Sequence, residues 1–282
     1  MPFQHLYIFD HISKTAGTTL KFSYVPAAFD AAEALISDSL EQSISSLGRE
    51  KAASLRFIGG HRAASLRSLF PKARWLTLVR DPVERAISVY LHACHHPEAW
   101  ALIGREVKAR GLSLKAFVEE DFFFRCGGEP GSVKNQQTRV LLGPGYDARI
   151  LDDPRAVAEI IRSRFHLCGC TESFEKFLFL LHVTEGWPLV LFTNRLVRKE
   201  RLTFQPDPEA LAVIERFNRH DAILYNCVRA EFNRRLAAVW TAEVGRLWQA
   251  YISALRDYRA GACENEVAAS VAFEDRLASM PS

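Results

Sequence analysis

The chain begins with a short apolar run, residues 3–9 (FQHLYIF), and three more of the same kind follow at 55–59 (LRFIG), 74–79 (RWLTLV) and 165–169 (FHLCG). Each is rich in aromatic and branched residues and too short for a helix, so each predicts a buried strand. Between them apolar residues recur at helical spacing after Gly17 and over 31–47, 82–94, 154–164 and 174–183. Strands alternating with helices predict an α/β domain whose parallel sheet is covered by helices.

From Pro208 onward the pattern is helical throughout: Leu211, Ile214, Phe217, Leu224, Val228, Phe232, Leu236, Trp240, Leu247 and Tyr251 follow at three- or four-residue steps. Such a stripe predicts packing against the sheet domain. Past about Thr241 the pattern is longer than one domain ordinarily needs, which leaves a second reading open, a homodimer formed through the C-terminal helix. The chain reads as a single domain over 1–262, its helical part starting near 207, with a small, polar tail over 263–282 that is expected to fray.

Composition narrows the classes. The 282 residues are 48% hydrophobic and 24% charged, ordinary for a globular protein. Lys and Arg exceed Asp and Glu by 36 to 33, and this balance of +3 excludes a broad nucleic-acid-binding surface but not a local anion site. The six cysteines, at 94, 126, 168, 170, 227 and 263, show no CxxC spacing and read as mostly buried thiols. No apolar run reaches the ~18 residues of a membrane span, and MPFQHLYIFD lacks the pattern of a secretory signal, so no transmembrane segment and a cytoplasmic location are expected.

The first strand runs directly into HISKTAGTTL, residues 11–20, where a helix can start. A strand, a turn and a helix N-terminus present backbone N–H groups to an anion. Lys14 adds a charge, Gly17 permits close backbone approach, and Thr18 and Thr19 add hydroxyls. A Walker A loop requires a glycine four residues before a Gly-Lys pair, whereas here the lysine precedes the glycine, which disfavours a nucleoside triphosphatase. The expected fold class is therefore α/β, a P-loop-like parallel sheet flanked by helices, with a helical C-terminal region. The bland alternative is an ordinary strand-to-helix turn with a surface lysine.

A second segment, LTLVRDPVERAISVY at 76–90, carries Arg80 where strand becomes helix. Asp81 is a good N-cap, Pro82 fits the first helical position, and Glu84 is placed to complete a capping box. Val83, Ile87, Tyr90 and Cys94 form the predicted buried stripe, leaving Arg85 and Ser88 on another face. Arg80 and Ser88 can converge on a second anion; otherwise Arg80 is a strand-end salt bridge and Ser88 faces solvent.

With both segments in view, the chain resembles the carbohydrate sulfotransferases related to heparan sulfate 2-O- and 6-O-sulfotransferases. HISKTAGTTL is similar to their 5′-phosphosulfate loop and LVRDPVERAISVY to their 3′-phosphate motif. NQQTRVLLG at 135–143, CGCTESFEKFLFLL at 168–181 and NRHDAILYNCVRAEF near the C-terminal end agree with the family in order. The resemblance implies that the donor, 3′-phosphoadenosine 5′-phosphosulfate, is held by Lys14, Thr15, Ala16, Gly17, Thr18, Thr19, Arg80 and Ser88, and that the acceptor hydroxyl belongs to a carbohydrate. Two departures stand out: Ser13 replaces the usual proline, and Ala16 replaces a glycine, which requires a backbone at Ala16 that avoids positive φ.

Sulfuryl transfer needs in-line positioning and charge stabilisation on the leaving oxygen, the role expected of Lys14. His61, in FIGGHR at the C-terminal end of the second apolar run, is the expected general base, with His11 as competitor. Glu172, after the fourth apolar run, is expected to position loops, Asn135, Gln137 and Arg139 are expected to face donor or acceptor, and Trp100 or Trp187 is available for stacking on a sugar. His92, Cys94, His95 and His96 have a spacing compatible with zinc, but a helix-end cluster is preferred, so no metal and no cofactor beyond the donor are expected. A P-loop-like kinase and a catalytically inactive nucleotide-binding module are the alternatives.

Overall fold

The computed structural model describes residues 5–95, 101–120, 133–143, 145–193 and 203–262. Its centre is a sheet of five parallel strands, β1 (Tyr7–Asp10), β2 (Ala34–Ile36), β3 (Phe57–Gly60), β4 (Arg74–Val79) and β5 (Leu167–Cys170), in the order β2-β3-β1-β4-β5. In register, Ile8 of β1 lies opposite Ile58 on one side and Trp75 on the other. The helices are α1 (residues 17–28, with a π-helical stretch at Leu20–Tyr24), α2 (Leu40–Ser45), α3 (Arg49–Ser54), α4 (Pro82–His95), α5 (Ala101–Arg110) and α6 (Leu114–Glu119). They continue with α7 (Gln136–Leu142), α8 (Pro154–Arg164), α9 (Phe174–Glu185), α10 (Pro208–Phe217), α11 (Arg219–Val239) and α12 (Ala242–Asp257).

Both faces of the sheet are covered, which is why the strands are apolar without alternation. Tyr7, Phe9, Phe57, Leu76 and Leu78 point to one face and pack with Leu20 and Tyr24 of α1, Phe177 and Leu181 of α9, and Tyr251 of α12. Ile8, Ile58, Trp75, Val79, Cys168 and Cys170 point to the other and meet Leu141 of α7, Val157 and Ile161 of α8, and Leu224 and Val228 of α11. A third cluster joins α4, α5, α6 and α10 through Ile87, Ile103, Phe117 and Ile214. The α4, α8 and α9 boundaries lie within two residues of those expected.

One expected helix is corrected. Residues 31–47 form the edge strand β2 and only then, after Ser37-Asp38-Ser39, the short α2. The open edge of β3 decides this: Ser37 N–H donates to Gly59 O at 3.1 Å, and Arg56 and Phe57 N–H both donate to Glu33 O. Tertiary pairing here overrides local helical spacing.

At the other end, α12 buries Trp248, Tyr251 and Leu255, and Phe179 of α9 meets the Trp248 ring edge-on at 5.1 Å. Much of the C-terminal stripe thus packs on the chain's own core, while Trp240 remains exposed. Cys168 and Cys170 are buried free thiols, while Cys94 and Cys227 are half-buried and free. Among the described residues no helix is long and apolar enough to cross a membrane. The tail over 263–282 and positions 96, 100 and 126 lie outside the described residues.

Candidate functional site

The site grows from the C-terminal end of β1, the middle strand, where the chain turns through residues 11–16 into α1. Lys14 (φ 70°) and Ala16 (φ 63°) are both left-handed. Ala16 therefore adopts the positive φ that its side chain was expected to avoid. Left-handed residues on either side of Thr15 are the signature of a concave nest of N–H groups, and the loop's geometry overrides the ~1–2 kcal/mol preference of a Cβ-bearing residue for negative φ. The buried Thr15 hydroxyl closes the turn on Ile12 O at 2.8 Å, so whatever Thr15 offers an anion comes from its backbone. Gly17 also answers to a need of the fold itself: a Cβ there would overlap the imidazole of His11. Thr18 is half-buried and Thr19 buried in the first turn of α1.

Arg80 follows β4 and meets this loop directly, its Nη1 donating to Lys14 O at 3.4 Å while Nη2 lies 3.5 Å from Glu84 Oε2. Arg85 was expected on a face of α4 other than the buried stripe but is 1% exposed, whereas Val83, Tyr90 and Cys94 of the expected stripe are only half-buried. The helix is enclosed on two sides, so its buried stripe widens to take in the arginine. Arg85 Nη1 donates to Ser13 O and to Gln136 Oε1. Burial depresses its pKa to about 10, against the favourable charge of Asp221. Because a trans peptide points its C=O and following N–H in opposite directions, arginines on the carbonyls of Ser13 and Lys14 turn the N–H groups of Lys14 and Thr15 to the other side. Ser88 is half-buried further along α4.

Asp81 caps α4 as expected, its Oδ1 accepting from Val83 and Glu84 N–H at 3.0 Å each. The capping box is not completed by Glu84. Asp81 N–H goes instead to Glu172 Oε1 at 2.9 Å, and Glu172 Oε2 accepts from Tyr225 OH at 3.1 Å. Gln137, fully buried, receives Arg80 N–H on Oε1 at 2.7 Å and returns a bond from Nε2 to Arg80 O at 2.9 Å. Asn135 and Asp221 then cap each other's helices. Asn135 Oδ1 accepts from His220 and Asp221 N–H at the start of α11, while the Asp221 carboxylate accepts from Gln137 and Thr138 N–H at the start of α7. Asn135, Gln137 and Glu172 thus hold the frame.

His61 lies just past β3, its Nδ1 2.8 Å from His11 O. A carbonyl can only accept, so Nδ1 carries the hydrogen and Nε2 holds the lone pair in the neutral ring. Nε2 is 4.0 Å from Asp38 Oδ1, and the same oxygen is 3.3 Å from Nζ of Lys21, a buried lysine that the sequence reading passed over. Lys21 belongs to the π-helical stretch of α1, a distortion common at functional sites. The His11 ring stacks on His61 at 4.2 Å and is 7% exposed. Burial, then the charges of His61, Lys21 and Lys14, push the pKa of His11 well down and keep it neutral.

Beside His61 opens a cleft of about 410 Å³, lined by Asp10, His61, Arg62, Arg67, Arg139 and Arg164 among others. The Arg67 guanidinium stacks over Trp75 at 4.1 Å and Phe165 at 4.8 Å. Asp10 is 2% exposed; its Oδ1 accepts from Ala63 N–H at 3.1 Å, and among the described residues its Oδ2 has no hydrogen-bond partner. Burial pushes its pKa up to about 6, opposed by the Arg67 charge. Asp10 also escaped the sequence reading, although a carboxylate ending an otherwise apolar run was a visible signal.

Trp187, considered for sugar stacking, is fully enclosed among Tyr7, Tyr24, Phe29 and Phe57 and is core. Trp100 and His96 lie outside the described residues. His92 and His95 are on the last turn of α4, and among the described residues no three His, Cys, Asp or Glu side chains gather as a metal site. No protein-family model matches the chain, and a search of curated proteins gives no match either.

Proposed function

We propose that this protein is a sulfotransferase of the carbohydrate sulfotransferase type, with a P-loop-like donor site for 3′-phosphoadenosine 5′-phosphosulfate. One observation carries the reading: the loop of Lys14 and the strand-end Arg80 meet at a 3.4 Å contact, so a nest for one anion and a cation for a second lie side by side. A nucleotide with phosphates on both its 5′ and 3′ positions spans such a pair. Both motifs that do this are the ones that resemble the family.

The residues have distinct roles in the transfer. The loop over Lys14–Thr19 receives the 5′-phosphosulfate end, and Arg80 and Ser88 receive the 3′-phosphate. The acceptor oxygen attacks sulfur as the bond to the bridging oxygen breaks, and adenosine 3′,5′-bisphosphate leaves with its new charge facing Lys14. The acceptor proton passes to Nε2 of His61, whose tautomer is set by the bond from Nδ1 to His11 O. His11, buried and neutral, supports the ring that does this. The acceptor enters through the cleft beside His61, whose four arginines favour a substrate that also carries negative charge.

Titration calorimetry with adenosine 3′,5′-bisphosphate and adenosine 5′-monophosphate tests the donor site. The bisphosphate is expected to bind at least tenfold more tightly, and Arg80→Ala to erase most of that margin, because a charge-assisted contact contributes about 1.5–3 kcal/mol. Equal affinities in the unmutated protein overturn the reading.

A further inference from the structure

Asp10 is an odd residue to find where it stands. It ends β1 opposite Gly60 of β3, one residue before His61, so the strand pair brings the carboxylate and the imidazole to the same edge of the sheet. Both line the same cleft. One oxygen of Asp10 is used, by Ala63 N–H; the other is buried and, among the described residues, has no donor to accept from. A buried carboxylate oxygen left without a hydrogen bond costs stability, and Ile8, two residues earlier on the same face of β1, is apolar.

We infer that Asp10 is a specificity-determining residue of the cleft, its Oδ2 receiving a hydrogen bond from a second, neutral donor on the molecule whose hydroxyl is presented to His61. An ionised carboxylate only accepts, so the group it recognises must donate. Arg62, Arg67, Arg139 and Arg164 line the same cleft and repel a cation, so that donor is a neutral hydroxyl or amide rather than an ammonium. A vicinal diol meets both conditions. One hydroxyl reacts while its neighbour is read by Asp10, and an analogue lacking the neighbour leaves the buried oxygen unpaired and is rejected.

The inference rests on the sulfotransferase reading, and its test keeps the two apart. Transfer of labelled sulfate from the donor is measured on a panel of methyl glycosides and their matched monodeoxy analogues, with bisphosphate affinity followed in parallel. In the unmutated protein the full glycoside is expected to exceed its deoxy partner by about 10–100-fold in kcat/KM for at least one pair. Asp10→Asn, which keeps an oxygen for Ala63 but puts a donor at the second position, is expected to collapse that ratio towards one, mainly through KM for the glycoside, without changing bisphosphate affinity. Asp10→Leu serves as a second variant that leaves no unpaired charge. A ratio unchanged by either folded variant, or no discrimination in the unmutated protein, overturns the role of Asp10. Bisphosphate binding with no transfer to any acceptor rejects this inference while leaving the donor site standing, and failure of the bisphosphate to bind rejects both.

Discussion

Gln137 grips the backbone of Arg80 from both sides, accepting from its N–H and donating to its carbonyl. A side-chain amide used in this way acts as one rung of a sheet ladder, placed where β4 has run out of strand partners and the chain must turn into α4. The guanidinium of Arg80 reaches Lys14 O from the backbone position that these two bonds hold.

Replacing Gln137 with Leu, similar in size but without polar atoms, leaves two buried backbone groups of Arg80 unpaired. Chemical denaturation is expected to show a loss of about 1–3 kcal/mol. Calorimetry on the same variant should show weaker bisphosphate binding, although Gln137 touches no nucleotide. A destabilised variant with full affinity would show that Arg80 holds its place without help.

The two small residues of the loop are expected to respond in opposite ways. Gly17→Ala drives a methyl into the His11 ring and should abolish bisphosphate binding or lower the melting temperature by several degrees. Ala16→Gly relieves a positive φ and should raise stability by about 0.5–1 kcal/mol. Thermal melts of both variants check this, and a destabilising Ala16→Gly would mean that the methyl packs more favourably than its backbone conformation costs.

The proposed proton acceptor and the proposed donor clamp are expected to separate in kinetics. His61→Ala should lower kcat by roughly 10²–10⁴-fold with donor affinity nearly unchanged, whereas Lys14→Ala should affect both rate and donor binding. Near-normal turnover of His61→Ala on a good acceptor would move the role to another group, with His11 the next residue to replace.

Asp10 gives the fold a pH dependence of its own. Its folded-state pKa of about 6 stands above the ordinary 3.8, so the native protein holds this proton more tightly than the unfolded chain does. Stability from this group is present at acid pH and is lost as pH rises from about 4 through about 6, by an amount on the order of 2–3 kcal/mol. Asp10→Asn should remove that decline. Denaturation midpoints of the two proteins from pH 4 to 8 should diverge upward in pH, and parallel curves would show that the carboxylate is not desolvated.

Much of this was legible in the residues. The strands β1, β3, β4 and β5 announced themselves as apolar runs because each is buried on both faces, and α4, α8 and α9 because proline, capping residues and periodicity agreed. β2 was hidden: three half-buried residues at a sheet edge carry no period, and only the open side of β3 makes them a strand. Lys14 and Arg80 stood out as candidates for anion binding because they sit at strand ends inside dense local patterns. Arg85, Lys21 and Asp10 were not, because what marks each of them is burial, and burial of a charge depends on partners far off in the sequence: Gln136, Asp38 and Arg67. Gln137 and Asn135 were noticed but assigned to ligands, since a sequence shows that a polar residue stands in a motif without showing that its partner is backbone.

The mutual capping of α7 and α11 makes the proposed donor site and the C-terminal helices one thermodynamic unit. Asp221 holds the start of α7, Gln137 in that turn holds Arg80, and Asn135 holds the start of α11 in return. A nucleotide that binds at Arg80 therefore raises the free energy needed to open this joint, because opening it would release the arginine along with the cap. The amides of Asp221, Gln137 and Thr138 should exchange with deuterium more slowly in the presence of bisphosphate, while those in the middle of α12, which packs against α9, keep their rates. A helix pair that looks like mere scaffolding would thus register occupancy of a site it never touches.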